Sequence, residues 1–335
     1  MIALLVDSSA CSTRRVSAAA MAAGRTIVGA LSAIALAACL QVDSGAAEPA
    51  AESPRACLER ARRLAVLGDS ITYDGRWVAE LAAWMESRSL TAEIINVALP
   101  SETCSGLSEE GHAGGAFPRP DLAERLARVL RVVRPDTVIA MYGMNCGIYA
   151  PLDETRFARF RSGMERLHTE VEQSGAAIIH LTPPVFDSQK ARQGTAQDSD
   201  YDAVLAAYSQ WLLSKRADGW LVIDVHGFMR ELLDRKRETT PGFTFQPDSV
   251  HPDDAGHWAI CRAVLAGLGE ARLAAEEEPA MLRDLLPEAT ERMQVLRDAY
   301  LAAAGHTRPG LPPGLPIDAA EEKATGITTA IRSGR

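Results

Sequence analysis

Five short, predominantly apolar runs, separated by segments of helical periodicity, constrain this chain more than any other feature. They are Leu64–Leu67, Glu93–Val97, Thr137–Met141, Ala176–Leu181 and Trp220–Asp224. A half-exposed strand alternates apolar and polar residues, whereas a continuous apolar run is buried on both faces. Such strands, alternating with helices, predict a three-layer α/β/α domain whose five-stranded parallel sheet is doubly wound and flavodoxin-like. The helices are expected over Ala56–Arg63, Thr72–Ser87, Asp121–Val133, Asp153–Ser174, Tyr201–Arg216 and Ala255–Leu268. Trp77, Leu81 and Trp84 mark the buried side of the second, Pro120-Asp121 opens the third and Gly175 stops the fourth.

Beyond Gly269 the strand signal disappears. Glu270–Ala304 is helical and charged, residues 308–316 form a proline-rich loop, and Ile317–Ile331 is a final helix. Residues 270–335 are therefore expected as a helical extension packed on the domain or on a neighbour. A length of 335 residues suits one α/β domain, over 56–269, with extensions at both ends.

The amino-terminal stretch reads differently. After Arg25 comes an uncharged run, Thr26–Ala38, too short to span a bilayer but suited to the apolar core of an export signal. Its end, Leu36-Ala37-Ala38-Cys39, resembles a bacterial lipobox, in which the cysteine becomes the lipidated first residue; an ordinary cut near Ala46 or Ala47 is the alternative. Arg14-Arg15 lacks the residues that usually follow a twin-arginine element, and Met21 is an alternative start. Residues 1–38 are thus expected as an export signal and 39–55, rich in Ala, Glu, Ser and Pro, as a flexible tether. The expected location is periplasmic, or anchored at the outer membrane through Cys39.

Composition removes one class of partner. A net charge of −9 argues against nucleic acid, whose phosphates require clustered Lys and Arg. Arg128, Arg131 and Arg134 do recur beside Leu126, Val129 and Leu130, the pattern of a solvated helix face. No His-Glu-x-x-His, Cys-x-x-Cys, Gly-x-x-x-x-Gly-Lys or strand-linked Gly-x-Gly-x-x-Gly occurs, so neither metal nor cofactor is expected.

The chemistry concentrates in three places. Gly68-Asp69-Ser70-Ile71 lies where the first strand hands over to a helix, which is where open α/β sheets hold ligands; on its own it is equally a helix cap. In Asp248-Ser249-Val250-His251, the following Pro252 disfavours α geometry for His251 and keeps its ring on the turn near Asp248. That pair is an oriented base: a serine hydroxyl needs a histidine to take its proton, and a carboxylate fixes the tautomer and stabilises the imidazolium. After the third strand comes Gly143-Met144-Asn145-Cys146-Gly147-Ile148-Tyr149.

Together these blocks resemble the SGNH, or GDSL, hydrolase family, over about Leu64 to Leu268. The likeness extends to exported bacterial members with a Gly-Met-Asn-Asp-Gly-Ile-Tyr segment and a helical carboxyl-terminal extension. The lack of a Gly-x-Ser-x-Gly elbow separates the chain from the α/β-hydrolases. The resemblance implies Ser70 as nucleophile, His251 as general base and acid, and Asp248 as its orienter. It also implies an oxyanion hole made from the backbone N–H groups of Ser70 and Ser101 and the side-chain amide of Asn145. Ser101 stands where glycine is usual and Cys146 where aspartate is common.

The implied activity is hydrolysis of small acyl esters, with O-acetyl groups on carbohydrate as the expected substrate. The alternatives are a lipid acyl hydrolase or thioesterase, and a non-catalytic carbohydrate-binding or scaffold domain. Asp69, Tyr73, His112 and Tyr149 are candidates to line the site, although the tyrosines equally suit packing and His112 an exposed loop. His180 and His226 read as core or edge residues and His257 as a helix-start residue. With Cys39 as the mature first residue, Cys57, Cys104, Cys146 and Cys261 remain, an even number in an oxidising compartment. Cys104 and Cys146, in loops converging on Ser70, are expected to form a disulfide that pins Asn145. Cys57 and Cys261 are then a second pair or two buried thiols.

Overall fold

The computed structural model describes residues 52–190, 200–275 and 279–333. The export signal, Cys39 and most of the expected tether lie outside the described residues. Strands β1 (Arg63–Gly68), β2 (Glu93–Asn96), β3 (Thr137–Met141), β4 (Ala177–Leu181) and β5 (Leu221–Ile223) form one sheet in the order β2-β1-β3-β4-β5. Every pairing is parallel, with Val66 opposite Asn96, Gly68 opposite Met141 and Leu181 opposite Ile223. The doubly wound α/β architecture expected from the apolar runs is the one found. The winding direction reverses between β1 and β3, so the loops leaving their carboxyl ends part to form a crevice.

The helices are α1 (Pro54–Arg60), α2 (Ser70–Asp74), α3 (Arg76–Ser87), α4 (Leu122–Val133), α5 (Glu154–Gln173), α6 (Tyr201–Ser214), α7 (Val225–Thr239), α8 (Asp254–Gly267), α9 (Ala271–Ala275), α10 (Ala280–Ala304) and α11 (Ile317–Ser333). Four differ from expectation, one being the helix expected over Glu270–Ala304, which is the two helices α9 and α10, with Pro279 extended just before α10. Helix α1 opens at Pro54, under a Ser53 cap, because proline suits the first helical position, and Arg63 already belongs to β1. The helix expected over Thr72–Ser87 is two, broken at Gly75, whose φ of +91° is unfavourable for any residue with a Cβ. Ser70 is therefore the first residue of a short helix of its own. Finally, α7 has no counterpart among the expected elements, although Val225, Met229, Leu232 and Leu233 recur at helical spacing and are all buried.

Right-handed crossovers place α3 and α4 on opposite faces of the sheet, because the chain moves outward from β1 to β2 and then back past β1 to β3. The extension helix α10 touches α3, α4 and β2, which sets it along the β2 edge. Met293 of α10 approaches Gly75 and lies 3.5 Å from Asn96 Nδ2. Helix α7 joins α6 to α8. Arg128 corrects the expectation of a solvated arginine face: half-buried, it donates from Nε to Ala304 O at 2.8 Å and so holds the carboxyl end of α10. Arg131 and Arg134 are exposed as expected. Among the described residues no helix is long and apolar enough to cross a membrane.

Candidate active site

The turn out of β1 has no room for a side chain at Gly68, where a Cβ would sit 2.4 Å from Thr72 Oγ1 and 3.0 Å from Met141 O. The chain therefore swings directly into α2, and Ser70 emerges at the mouth of the crevice. Its Oγ lies 3.0 Å from His251 Nε2. His251 Nδ1 lies 2.8 Å from Asp248 Oδ2. The other carboxylate oxygen, Oδ1, accepts the backbone N–H groups of Val250 and His251 at 3.0 and 2.7 Å. One oxygen thus ties the turn while the second orients the ring. With Nδ1–H directed to the carboxylate, Nε2 is the nitrogen left to accept the serine proton. Burial pushes the Asp248 carboxyl up, but the hydrogen bonds from His251 and Val250 outweigh it and hold the group below the usual aspartate range. Both side chains remain open to solvent, at 53% exposure for His251 and 58% for Asp248.

The other side of the crevice is constructed from buried charge. Ser101 has a φ of +68°, the left-handed conformation in which glycine is the easiest occupant, so serine takes up the glycine's backbone shape at some cost in strain. Among the described residues its N–H has no hydrogen-bond partner. The next residue, Glu102, is fully buried and holds the loop. Arg125 Nε and Nη2 donate to its carboxylate at 2.5 and 2.7 Å, and Tyr142 OH donates at 2.6 Å. Arg125 Nη2 also donates to Val97 O at 2.8 Å. Burial still raises the Glu102 carboxyl above its ordinary value despite the lowering effect of Arg125.

Asn145 leaves the carboxyl end of β3 on the same side. Its Oδ1 accepts from Arg119 Nη1 at 2.8 Å and from Tyr149 OH at 3.1 Å, while its only protein acceptor among the described residues is Glu102 O at a long 3.5 Å. The amide is thus fixed by its oxygen, with its N–H groups still able to donate. Arg119 is in turn gripped by Glu109, Nε to Oε2 at 2.6 Å and Nη2 to Oε1 at 2.7 Å, and its side chain is only 6% exposed. Arg119, Glu109, Glu102 and Arg125 were invisible as site residues in the sequence. The nearest signals are the adjacency of Glu102 to Ser101 and of Arg119 to the helix-opening Pro120-Asp121.

The flanking candidates divide. Tyr73 does line a cavity beside Ser70. Asp69 does not line the site: it is 3% exposed and accepts the Ile71 N–H at 3.1 Å, and its burial pushes its pKa up to about 6. His112 is corrected from an exposed loop residue to a half-buried one, Nδ1 3.1 Å from Glu109 and its ring edge-on to Phe117. Tyr149 packs against Tyr201 and Phe186 and serves as a brace on Asn145 rather than an open face. His180 lies buried against His168 and Trp220, with burial driving its pKa down to about 3. His226 contacts Asp202 at 3.3 Å. His257, in the first turn of α8, lies 3.1 Å from Asp74.

The expected disulfide is absent. Cys57, Cys104, Cys146 and Cys261 are all buried, and none of them is in a disulfide. Cys104 and Cys146 do meet, but with their sulfurs 3.5 Å apart, a packing contact well beyond the ~2.05 Å of a covalent bond. Cys146, 0% exposed in the place where aspartate is common, behaves as a small apolar residue. Among the described residues no group of three or more His, Cys, Asp or Glu side chains could hold a metal ion.

The cavity beside Ser70 and His251 measures about 350 Å³ and is walled by Ile71, Tyr73, Pro252 and, from α10, Gln294 and Arg297. A second cavity of about 200 Å³, between α3, β2 and the last two helices, contains no nucleophile and base pair.

With that geometry in view, the model of the GDSL-like Lipase/Acylhydrolase family matches residues 66–259, more than half of the chain. The chain belongs to the GDSL-like lipase/acylhydrolase family. It is accordingly a hydrolase of ester bonds. The matched segment contains Ser70, Ser101, Asn145, Asp248 and His251 and ends inside α8, ahead of α10. Among solved structures, a catalytic mutant of an acetylxylan esterase from Geobacillus stearothermophilus is similar at 20% identity, covering 62% of this chain and 94% of its own, with a TM-score of 0.47. A gut microbial diltiazem-metabolizing enzyme is similar at 16% identity, covering 62% of this chain and 47% of its own, with a TM-score of 0.49. An alpha/beta hydrolase enzyme from the metagenome of Lake Arreo, Spain, is similar at 19% identity, covering 63% and 98%, with a TM-score of 0.45. No curated protein matches the chain in sequence.

Proposed function

We propose that this acylhydrolase is a serine esterase for small acyl esters, acting on O-acetyl groups of carbohydrate through an acyl-enzyme. The observation that carries the reading is the continuous chain from Ser70 Oγ to His251 Nε2 at 3.0 Å and from His251 Nδ1 to Asp248 at 2.8 Å. His251 accepts the Ser70 proton as Oγ attacks the ester carbonyl, and Asp248 stabilises the imidazolium. The oxyanion is received by the N–H groups of Ser70 and Ser101 and the amide of Asn145, which are fixed before charge develops and need no reorganisation. The proton on His251 then passes to the leaving alcohol, and water, activated by the same histidine, releases the acid and frees Ser70.

The preference for short acyl groups rests on the scarcity of aromatic residues, 5% of the chain, available to line a long acyl tunnel. The test is hydrolysis of aryl esters from acetyl to decanoyl by the whole chain and by Ser70→Ala. Activity that is highest with acetyl and lost in Ser70→Ala is expected; equal rates in the two proteins overturn the mechanism, and a rise with chain length overturns the acyl preference. Export, with lipidation at Cys39, accompanies this reading on the strength of the uncharged run and its Leu-Ala-Ala-Cys end. Mass spectrometry of the mature amino terminus tests it, a free terminus near Ala47 excluding the lipid.

A further inference from the structure

The cavity beside Ser70 is closed by a helix outside the family's matched segment. Residues 66–259 match the family, yet Gln294 and Arg297, both on α10, form part of the wall next to Ser70 and His251. Which part of a substrate lies there follows from the chemistry of the histidine. His251 returns its proton to the departing oxygen, so the leaving alcohol must lie on the Nε2 side. The cavity is bounded by His251, Pro252 and His257, whereas the oxyanion residues Ser101 and Asn145 are not among its walls. It is therefore on the alcohol side of the scissile bond.

The charges in this wall are neutralised within the protein. Asp74 pairs with His257 at 3.1 Å. Arg297 donates from Nη1 to Tyr73 O at 2.8 Å and from Nε to Asp298 at 2.9 Å, and its guanidinium covers one face of the Tyr73 ring at 4.1 Å from the centroid. Gln294 is exposed and makes no hydrogen bond within the described residues, so both its donor and its acceptor are free. A wall with paired charges, an aromatic side chain and an unused amide suits a neutral, hydroxyl-rich alcohol. It offers no unpaired cation for an anionic group and too little aliphatic surface for a long alkyl chain.

We propose that the carboxyl-terminal extension supplies the leaving-alcohol subsite of this esterase, with Gln294 binding a hydroxyl of a neutral polyol and Arg297 positioning Tyr73 beside it. This rests on the esterase reading above. In the step concerned, the bond between acyl carbon and alkoxy oxygen breaks, the alkoxide takes the proton held on His251 Nε2, and the acyl group stays on Ser70 Oγ. Two acetyl esters with different alcohols yield the same acetyl-enzyme, so an alcohol-side contact changes acylation and leaves deacylation alone.

The experiment compares 6-O-acetylglucose with phenyl acetate on the full chain and on Gln294→Ala, a surface change that leaves the core intact. The expected result is a loss in kcat/KM of roughly 3- to 10-fold for the sugar ester, the value of one hydrogen bond, with phenyl acetate changed by less than about 2-fold. The deacylation rate, read after the phenol burst, should not move. An equal loss on both esters, a shifted deacylation rate or an unchanged sugar ester overturns the subsite. An unaltered enzyme inert toward both esters, with no burst, removes the esterase reading instead.

Discussion

Asp248 and His251 are three residues apart, more than half of each side chain is in solvent, and every hydrogen bond that shapes the pair is made within one turn or to Ser70. Across the crevice, Ser101 and Asn145 come from loops after different strands, and apart from the Tyr149 hydroxyl on Asn145 the side chains that hold them come from further away in the chain. Glu102 and Arg125 secure one loop, while Glu109 and Arg119 secure the other, through ion pairs that are largely withdrawn from water. The proposed base is set by local geometry and can remain wet, because its task in that mechanism is to exchange protons. The proposed oxyanion side would have to keep donors aimed at a charge that exists only in the transition state, and rigidity there requires buried partners. One half of the site is set by short-range sequence and the other by the tertiary fold.

That contrast is open to attack by substitution. Asp248→Asn should have the largest effect, a fall in turnover on the order of 10³- to 10⁴-fold, as expected when the ring tautomer is no longer dictated. Its melting temperature should hardly move, because asparagine Oδ1 still accepts from Val250 and His251; a large drop in thermal stability would show that the base arm is a structural element too. Arg125→Met tests the opposite side. Leaving Glu102 buried without its cation should cost about 3–5 kcal/mol in urea unfolding, and a neutral result would mean that the loop does not depend on the pair.

Asn145→Ala should lower kcat by roughly 10²- to 10³-fold with stability kept. Arg119→Met should reproduce a fraction of that loss, and the double variant should be no slower than Asn145→Ala alone, since Arg119 acts through the asparagine; additive losses would give Arg119 a separate role. The smallest effect concerns Asp69, whose carboxyl is raised by burial to about 6 in the folded protein. Because the folded state holds the proton more tightly than the unfolded one, the native chain loses stability as pH rises from about 4 through 6. Asp69→Asn escapes that loss and can retain the bond to Ile71. Its advantage in thermal denaturation should grow from near zero at pH 4 to roughly 1–3 kcal/mol at pH 8. An advantage independent of pH would show that Asp69 is not the titrating group.

The same contrast explains what could be read from the chain. Strand positions, the parallel order and the pairing of Asp248 with His251 were legible because each rests on neighbours in sequence: apolar runs and a proline after His251. The link from Ser70 to that pair, across most of the domain, was implied only by the resemblance to the SGNH hydrolases. Glu102, Arg119 and Arg125 were not legible, since a buried ion pair looks like any other pair of charges until the fold brings its halves together. The Gly75 break was missed because Trp77, Leu81 and Trp84 keep their helical spacing on its far side. The pairing of Cys104 with Cys146 was half legible: topology does bring the sulfurs into contact, but proximity does not make them a covalent pair.

The position of α10 along β2 has one more consequence. An outermost parallel strand presents a row of unpaired N–H and C=O groups that readily accepts a strand from another molecule. With α10 packed against β2, that margin of this sheet is shielded. A chain cut after Leu268 would retain all five strands and the line from Ser70 to Asp248, yet β2 would face open water. Such a fragment is expected to form its secondary structure and then be lost to self-association, so that the final helices keep the molecules apart from one another.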